Sequence, residues 1–286
     1  MPAAQQRVTT RNARFQQWEA LLTNRTKRQR SREFLVQGVR PISLAVERGW
    51  TVRTLIHDAE RPLSQWADGL LRATPAERVA MAPELLAALG EKDGAAPELI
   101  AAVEIPADDL DRIPTGGAFL GVALDRPSSP GNLGSIIRSA DAFGAHGVVV
   151  SGHAADPYDP KAVRASTGSL FAVPAVRVPS HREVLAWVDA ARGQGHPIVT
   201  VATDEGADRE IWDFDFTGPT LLLIGNETSG LSGAWREACD HTVSIPMRGA
   251  ASSLNAANAA TAVLYEIARQ RAAARPGPRG DQRAGA

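Results

Sequence analysis

Helical and extended hydrophobic patterns alternate along the first hundred residues of the chain. Four segments carry apolar residues at helical spacing: FQQWEALL (15–22), PISLAVERG (41–49), LSQWADGLL (63–71) and PELLAALGEK (83–92). Four shorter apolar runs lie between or after them: EFLVQG (33–38), VRTLIHD (52–58), RVAMA (78–82) and ELIAAVE (98–104). The first set predicts helices and the second predicts strands, so we expect a small α/β layer domain here.

The second half of the chain has a stronger strand signal. AFLGVALD (118–125) is an apolar run typical of a strand that is buried on both faces. Further strands are predicted at GVVVSG (147–152), PIVTVAT (197–203), TLLLIG (220–225) and HTVSIP (241–246). Helices are predicted at NLGSIIRSADAFG (132–144), PKAVRASTG (160–168), HREVLAWVDAARG (181–193) and from about Leu254 to Arg271. Strands separated by helices predict a parallel sheet with its functional loops at the carboxyl ends of the strands.

A break in this pattern separates the two halves. Residues 106–115 combine two Pro with three Asp, a composition typical of a linker. We therefore expect a first domain over 1–105, a linker over 106–115, a second domain over 116–272 and a disordered tail over 273–286. The length of 286 residues is that of two domains.

Composition restricts the class of protein. With 44% hydrophobic and 22% charged residues, the chain is expected to be soluble and globular, which excludes collagen-like, coiled-coil and wholly disordered classes. No apolar run approaches the ~18 residues that a membrane-spanning helix needs, and MPAAQQRVTTRN at the start lacks the apolar stretch of a secretory signal. A single Cys239 excludes an intrachain disulfide and a cysteine-rich zinc site. We expect a cytoplasmic protein that does not contact a membrane.

The formal net charge of −1 hides an uneven distribution. Residues 1–40 carry a charge of +7 and residues 267–286 a charge of +4, so the middle of the chain must hold −12. Five cations crowd residues 25–32, which we interpret as a turn-like segment. Nucleic acid is the first candidate partner for them, and a solvated helix face is the alternative. The cations expected to contact RNA are Arg11, Arg25, Lys27, Arg28, Arg30, Arg32 and Arg40.

Three loops rich in Gly, Asn or Ser follow predicted strands. The first, DRPSSPGNLG (125–134), leads into the helix that carries Arg138, and the amino end of a helix suits an anionic group such as a phosphate. The second, LIGNETSGL (223–231), holds Glu227 between two glycines. The third, IPMRGAASSLN (245–255), has more Ser and Asn than one helix cap requires. The first loop alone could be an ordinary capped turn, and it lacks the GxGxxG pattern of dinucleotide-binding proteins.

Taken together, the three loops resemble the signature of the SpoU/TrmH family of RNA ribose 2′-O-methyltransferases, within the SPOUT class. The matching segments are SPGNLGSIIRSADAFGAHGVV (129–149), LLLIGNETSGLS (221–232) and VSIPMRGAASSLNAANAATAVLYEIARQR (243–271). The resemblance implies a parallel-sheet methyltransferase domain whose chain forms a trefoil knot near its carboxyl end. The first half resembles the smaller α/β, L30e-like RNA-binding domain that many members carry.

The resemblance also assigns roles to individual positions. It implies S-adenosylmethionine as the cofactor. The residues that match the reactive positions are Arg138, Asn132, Glu227, Ser253 and Asn255. The residues that match the cofactor-binding positions are Thr203, Gly225, Asn226, Ile245, Met247, Ser253 and Leu254. We expect no metal, since the reaction needs none and the six His are scattered without ligand spacing.

Methyl transfer from a sulfonium to a ribose hydroxyl is an in-line displacement in which the attacking oxygen becomes more anionic. The protein must align the reacting atoms and stabilise that alkoxide. We expect Arg138 to do so as a cation, because an arginine side chain keeps its charge at neutral pH. The proton is then left to water, to an RNA phosphate or to Glu227.

The last predicted helix carries one apolar stripe, formed by Leu254, Ala257, Thr261, Leu264 and Ala268. This stripe could pack on the protein's own sheet. Members of the family pair through this region, however, and the resemblance implies a homodimer in which the second subunit helps to complete each cleft.

The leading hypothesis for the substrate is 23S ribosomal RNA, methylated at a uridine. Transfer RNA is the alternative enzyme substrate, because the catalytic half does not distinguish between folded RNAs. A non-catalytic RNA-binding protein is the alternative from another class. The biological role is open between resistance to a ribosome-targeting antibiotic and routine maturation.

Overall fold

A computed structural model describes residues 6–90 and 96–274 of the chain. The first half forms a five-stranded sheet in the order β1-β4-β3-β5-β2, in which β1, β4 and β3 are parallel and β5 is antiparallel to both of its neighbours. Its elements are β1 (Gln6–Val8), α1 (Ala13–Thr23), α2 (Arg25–Ser31), β2 (Glu33–Gln37), α3 (Val39–Glu47), β3 (Val52–Asp58), α4 (Gln65–Ala73), β4 (Glu77–Met81), α5 (Pro83–Leu89) and β5 (Leu99–Glu104).

The second half forms a six-stranded sheet in the order β11-β9-β10-β6-β7-β8, with every pair parallel. Its elements are β6 (Leu120–Asp125), α6 (Pro130–Ala142), β7 (Gly147–Ser151), α7 (Pro160–Ser166), β8 (Ala175–Val178), α8 (His181–Gly193), β9 (Val199–Thr203), β10 (Thr220–Ile224), α9 (Gly233–Ala238), β11 (His241–Val243) and α10 (Ala256–Ala274). The parallel sheet predicted from the sequence is confirmed. Strands β6, β7 and β10 are buried along their whole length, as their apolar sequences require.

One hydrophobic core runs through both halves. The ring of Phe34, from β2, lies 4.9 Å from the ring of Tyr158 and 6.2 Å from that of Phe171, both in the second half. Trp50 Nε1 donates a hydrogen bond of 3.1 Å to the Phe171 carbonyl oxygen. Because aromatic rings bury large apolar areas, these contacts fix the two halves against each other.

Five elements differ from the sequence prediction. Residues 25–31 form helix α2 rather than a turn, since Asn24 caps it and its one buried side chain is that of Arg28, which leaves no apolar stripe to detect. Strands β1 and β8 have three and four residues, and α9 has six, lengths too short for a periodic signal. A turn of 3₁₀ helix, Leu110–Arg112, lies in the predicted linker. The end of the helix predicted over 83–92 and residues 275–286 of the predicted tail lie outside the described residues, and α10 continues through Ala274.

Helix α10 packs within its own chain. Ala257 and Leu264 of the predicted stripe are buried, and Thr261 Oγ1 lies 2.7 Å from Ser139 Oγ of α6, whereas Leu254 precedes the helix and is exposed. This stripe is therefore no evidence for a dimer surface. At the other end, the Arg271 guanidinium donates to the carbonyl oxygens of residues 118, 119, 216 and 218 at 2.6–3.1 Å, beside the amino ends of β6 and β10. No described helix combines the length and apolarity that crossing a membrane requires.

Candidate active site

Three loops of the second half meet at one edge of the parallel sheet. The first loop (126–129) follows β6, the second loop (225–232) follows β10, and the third loop (244–255) follows β11. Because all of these strands are parallel, their carboxyl ends lie at the same edge. Strands β6 and β10 are also direct neighbours, so the first and second loops begin side by side.

The side chain of Asn132 joins all three loops. Its Nδ2 donates to Glu227 Oε1 of the second loop over 3.1 Å, and its Oδ1 accepts from Asn255 Nδ2 of the third loop over 3.1 Å. Asn132 stands in the first turn of α6, capped by Ser129, and Asn255 caps α10 by accepting from the Ala257 backbone N–H over 2.9 Å. The amino ends of α6 and α10 are thus connected to the Glu227 carboxylate, α6 directly through Asn132 and α10 through Asn255.

Glu227 is held as an anion. Its Oε2 accepts from the backbone N–H and the hydroxyl of Ser128 at 2.9 and 2.8 Å, and its Oε1 accepts from Ser129 N and Asn132 Nδ2 at 3.1 Å each. Burial raises the pKa of Glu227, but the hydrogen bonds from Ser128 and Asn132 outweigh it and lower the pKa to about 2. Such a carboxylate is a weak base at neutral pH. This argues against Glu227 as the acceptor of the proton, whereas its hydrogen bond to Nδ2 orients the Asn132 amide.

The second loop is closed tightly on itself. The backbones of Asn226 and Gly230 exchange two hydrogen bonds of 3.0 Å, and the Asn226 side chain accepts from Thr228 N at 2.9 Å and donates to the Arg126 carbonyl oxygen at 2.7 Å. A Cβ atom on Gly225 would lie 2.4 Å from the carbonyl carbon of Gly230, so only glycine fits there. The second loop is therefore held in one shape by its own backbone hydrogen bonds and by the Asn226 side chain.

Asp125 ties the first loop to the second. Its Oδ1 pairs with Arg126 Nε at 3.0 Å, and its Oδ2 accepts from Ser232 N at 2.8 Å. Burial raises the pKa of Asp125, but the hydrogen bonds from Arg126 and Ser232 outweigh it, and the pKa is lowered. Arg126 has a φ of 51°, in the left-handed region that non-glycine residues rarely adopt, and these bonds hold it there.

A cleft of about 610 Å³ opens beside these loops, within the roughly 300–1,000 Å³ range of small-molecule sites. All seven residues that the sequence resemblance assigned to the cofactor line it: Thr203, Gly225, Asn226, Ile245, Met247, Ser253 and Leu254. Ser252 lines it as well. The hydroxyls of Ser252 and Ser253 have no hydrogen-bond partner among the described residues, so both are free to bind a ligand.

The cleft also contains charged residues that the sequence analysis missed. Asp204 directly follows β9 and pairs with Arg236 Nε at 2.9 Å, while Glu205 and Glu210 add two further carboxylates. Their only signal in the sequence is that Asp204 and Glu205 come after a predicted strand. Within residues 6–90 and 96–274, no group of three or more His, Cys, Asp or Glu side chains is arranged to hold a metal ion.

Arg138 lies apart from this cleft. It is exposed on α6, six residues after Asn132, which places it about 9 Å further along the helix axis and about 120° around it. It does not line the cleft of its own chain and forms no ion pair with another described residue. The structure therefore brings Asn132, Glu227 and Asn255 together and leaves the Arg138 guanidinium free at the surface.

The seven predicted RNA-contacting cations separate into two groups. Arg28 is buried, with 2% of its side chain exposed, and it pairs with Asp156 at 2.8 Å, so it is wrongly predicted to contact RNA. Arg25 is half-buried and donates to the Ala154 carbonyl oxygen at 2.6 Å. The cations that remain exposed on the first half are Arg11, Lys27, Arg30, Arg32 and Arg40.

An all-parallel sheet with a ligand-sized cleft at the carboxyl ends of its strands defines an α/β protein that binds a small molecule there. The chain belongs to the SpoU rRNA methylase family, whose model matches residues 120–265. The SpoU L30e-like domain matches residues 12–101. These matches lie within the expected domains 1–105 and 116–272, whose boundaries stay predictions.

Relatives of known activity and structure share this architecture. The chain is 69% identical over 274 residues to the 23S rRNA (uridine(2479)-2′-O)-methyltransferase of Streptomyces viridochromogenes, covering 96% of this chain and 95% of the relative. The crystal structure of the SpoU methyltransferase AviRb from the same organism, in complex with AdoMet, matches with a TM-score of 0.89 and 69% identity over 93% of this chain and 100% of that one. An AdoMet-bound rRNA methyltransferase from Sinorhizobium meliloti matches with a TM-score of 0.81 and 29% identity over 92% and 97% of the two chains.

Proposed function

We propose that the protein transfers a methyl group from S-adenosylmethionine to the 2′-hydroxyl of a uridine in 23S ribosomal RNA. The observation that carries this is the junction of three loops at Asn132, beside a cleft lined by all seven expected cofactor residues. The match to the Streptomyces viridochromogenes relative, which is named for this reaction, covers 95% of that relative's length. Family membership and this coverage favour an enzyme over a non-catalytic RNA-binding protein.

S-adenosylmethionine fits the cleft. Ile245 and Leu254 offer apolar contacts for an adenine ring, and Ser252 and Ser253 offer free hydroxyls, while Gly225 lets the second loop fold tightly at the side of the cleft. When bound, the cofactor supplies a methyl group on a sulfonium, which is electrophilic. The carboxylates of Glu205 and Glu210 favour a ligand with positive charge over a neutral one.

The chain's own residues orient the ribose. The Glu227 anion fixes the Asn132 amide, and Asn255 fixes it from the other side, so this amide is held before substrate arrives. The Arg138 guanidinium stabilises the developing alkoxide or clamps the adjacent phosphate.

The exposure of Arg138 supports a homodimer. Because its guanidinium lies outside the cleft of its own chain, we propose that it serves the cleft of a second copy. Met247 and Leu254 are large apolar side chains exposed at the cleft, and a second copy would cover them. Sedimentation showing a monomer at micromolar concentration, with full activity, would refute this.

The first half is proposed to hold the RNA through Lys27, Arg30 and the other exposed cations. An L30e-like module of this kind binds folded RNA through its shape and its phosphates. A ribosomal substrate implies action in the cytoplasm, and methylation of 23S ribosomal RNA supports resistance to a ribosome-targeting antibiotic as the role. The trefoil knot of the second half stays a prediction from the family resemblance.

One experiment tests the function directly. Purified protein is incubated with radiolabelled S-adenosylmethionine and 23S ribosomal RNA, transfer RNA or no RNA, and ribose methylation is mapped by sequencing. We expect label in 23S ribosomal RNA at one uridine. Label in transfer RNA alone would favour transfer RNA as the substrate. If calorimetry detects no binding of S-adenosylmethionine, the protein would instead be a non-catalytic RNA-binding protein.

A further inference from the structure

Helix α2 presents its cations to two different sides. Arg28 points into the molecule with 2% of its side chain exposed, and Arg25 is half-buried beside it. Lys27 and Arg30 are exposed, and their side chains form no ion pair within the described part of the chain. One short helix therefore combines an inner side that contacts the second half with an outer side that is free to bind RNA.

The Arg28 guanidinium is fully engaged between the two halves. Its Nη1 donates to the Leu21 carbonyl oxygen at 2.7 Å in the first half. Its Nε donates to Asp156 Oδ2 at 2.8 Å and its Nη2 to Asp159 Oδ2 at 3.4 Å in the second half. Asp156, 4% exposed, also lies 3.9 Å from Arg177 of β8. Two carboxylates of the second half, buried Asp156 and partly exposed Asp159, thus hold one cation of the first half.

The linker and the neighbouring cleft belong to the same network. Arg177 pairs with Asp108 of the predicted linker at 2.7 Å. In the amide orientation that its neighbours favour, Gln29 Oε1 accepts from Arg25 Nε at 2.9 Å and from Arg177 Nη1 at 3.0 Å. These groups line a cleft of about 790 Å³, but each cation there already has a partner within the protein. The cleft therefore offers no free cation to an anion, and its groups bind the two halves and the linker together.

A contiguous path leads from Arg28 to the reactive helix. Asp159, which faces Arg28, caps helix α7 by accepting from the Lys161 backbone N–H at 3.0 Å. Helix α7 packs on α6 with no gap, since a Cβ atom added to Gly134 would lie 2.2 Å from the Ala162 carbonyl oxygen. Helix α6 carries Asn132 and Arg138. Two contacts, the Arg28–Asp159 pair and the packing of α7 on α6, thus connect helix α2 to the helix that presents Arg138.

We propose that Arg28 is a positioning residue, whose ion pairs with Asp156 and Asp159 set the distance between the RNA-binding side of α2 and the reactive helix α6. This arrangement decides which ribose reaches Arg138. The proposal rests on the proposed function, since it concerns how RNA bound by Lys27 and Arg30 is positioned relative to helix α6. Stability alone does not require such a pair, because well-packed apolar residues often replace a buried ion pair without loss. A fixed geometry between two RNA-contacting elements does require directional partners.

The test compares Arg28→Met with the matched outer variant Lys27→Gln/Arg30→Gln in the full-length protein. Each is assayed on 23S ribosomal RNA for kcat, for RNA affinity across a salt series, for S-adenosylmethionine affinity and for the position of ribose methylation. We expect Arg28→Met to lower kcat at least tenfold and to spread methylation to neighbouring nucleotides, with both affinities within about twofold of the parent. Its salt dependence stays unchanged, whereas the outer variant flattens the slope of log affinity against log salt by about 0.7–0.9 for each charge removed.

Two further variants keep the result decisive. Arg28→Lys keeps the charge without the planar fork and should recover part of kcat and of the methylation specificity. If Arg28→Met does not fold, Asp156→Asn, which keeps the shape of the side chain, should show the same loss of specificity.

Three outcomes overturn the proposal: an unchanged methylation site and kcat, a flattened salt slope for Arg28→Met, or a parallel loss of cofactor affinity. Failure of the proposed function is a different result, because the unmodified protein would then methylate no ribosomal RNA.

Discussion

Replacing Glu227 with Gln should disrupt the junction of the three loops at a single point. Each carboxylate oxygen accepts two hydrogen bonds, from the backbone and hydroxyl of Ser128 on one side and from Ser129 and Asn132 on the other. A glutamine amide has one oxygen and one NH₂ group, so one of these pairs of donors would face another donor. The Asn132 amide would lose its fixed orientation, and with it the alignment of the ribose.

The lowered pKa of Glu227 indicates how much its hydrogen bonds contribute to the free energy of unfolding. The difference between the ordinary value of 4.5 and about 2 is about 2.5, which at ~1.36 kcal/mol per pKa unit sets an upper limit of about 3 kcal/mol. The carboxylate is partly exposed, and solvent screening reduces this to about 1–2 kcal/mol. Because the pKa is lowered in the folded state, this stabilisation is complete above about pH 4.5 and is lost as the pH falls towards 2.

Urea unfolding at pH 7 and pH 3, with methyl-transfer kinetics at pH 7, measures both effects. We expect Glu227→Gln to lower the free energy of unfolding by about 1–2 kcal/mol at pH 7 and by less than half of that at pH 3, and to lower kcat at least tenfold. The control is Glu77→Gln in the first half, because a hydrogen bond from Arg14 lowers the pKa of Glu77 as well. It should change stability with pH but leave kcat unchanged. A stability loss for Glu227→Gln that is equal at both pH values, or an unchanged kcat, refutes the reasoning.

Three other substitutions test separate parts of the molecule. Arg138→Lys keeps the charge but loses the planar fork, so kcat should fall steeply while calorimetry shows unchanged S-adenosylmethionine binding; near-normal turnover would remove Arg138 from the reaction. Gly225→Ala places a Cβ atom 2.4 Å from the backbone of the facing residue and should weaken cofactor binding at least tenfold, whereas Gly233→Ala, with no atom within 4 Å, should not. Arg271→Met removes a cation from four carbonyl oxygens and should lower the melting temperature by several degrees, with cofactor affinity unchanged; an unchanged melting temperature would show that these bonds do not stabilise the fold.

The sequence predicts most of the fold because most elements bury an apolar pattern of their own. Strand β3 and helix α6 are each found within two residues of the predicted bounds, and the parallel sheet follows from the alternation of strands and helices. Helix α2 is missed for the opposite reason. Its buried residue is Arg28, whose partners lie about 130 positions away, and no local pattern reveals an ion pair at that separation.

In the candidate site, too, the sequence predicts which residues lie on the loops but not the properties that depend on distant contacts. The motifs place Asn132, Glu227 and Asn255 on loops after strands, and the structure joins them through two hydrogen bonds. The chemical state of Glu227 does not follow from the motif, because its pKa depends on donors from a loop almost 100 residues earlier in the chain. The position of Arg138 outside the cleft of its own chain does not follow from the motif either. It depends on how helix α6 is rotated about its axis relative to the sheet.

The arrangement of the site limits where the proton of the ribose hydroxyl goes. A general base works best when its pKa lies near the working pH, and that of Glu227 lies at about 2. Among the described residues, the cleft is lined by the carboxylates of Asp204, Glu205 and Glu210 but by no histidine, lysine or cysteine, and the amides of Asn132 and Asn255 are not basic. We therefore expect water or an RNA phosphate to take the proton, and we expect Arg138 to stabilise the alkoxide. In that case kcat rises steadily from pH 6 to pH 9, and a plateau above pH 7 would instead reveal a protein base with an imidazole-like pKa.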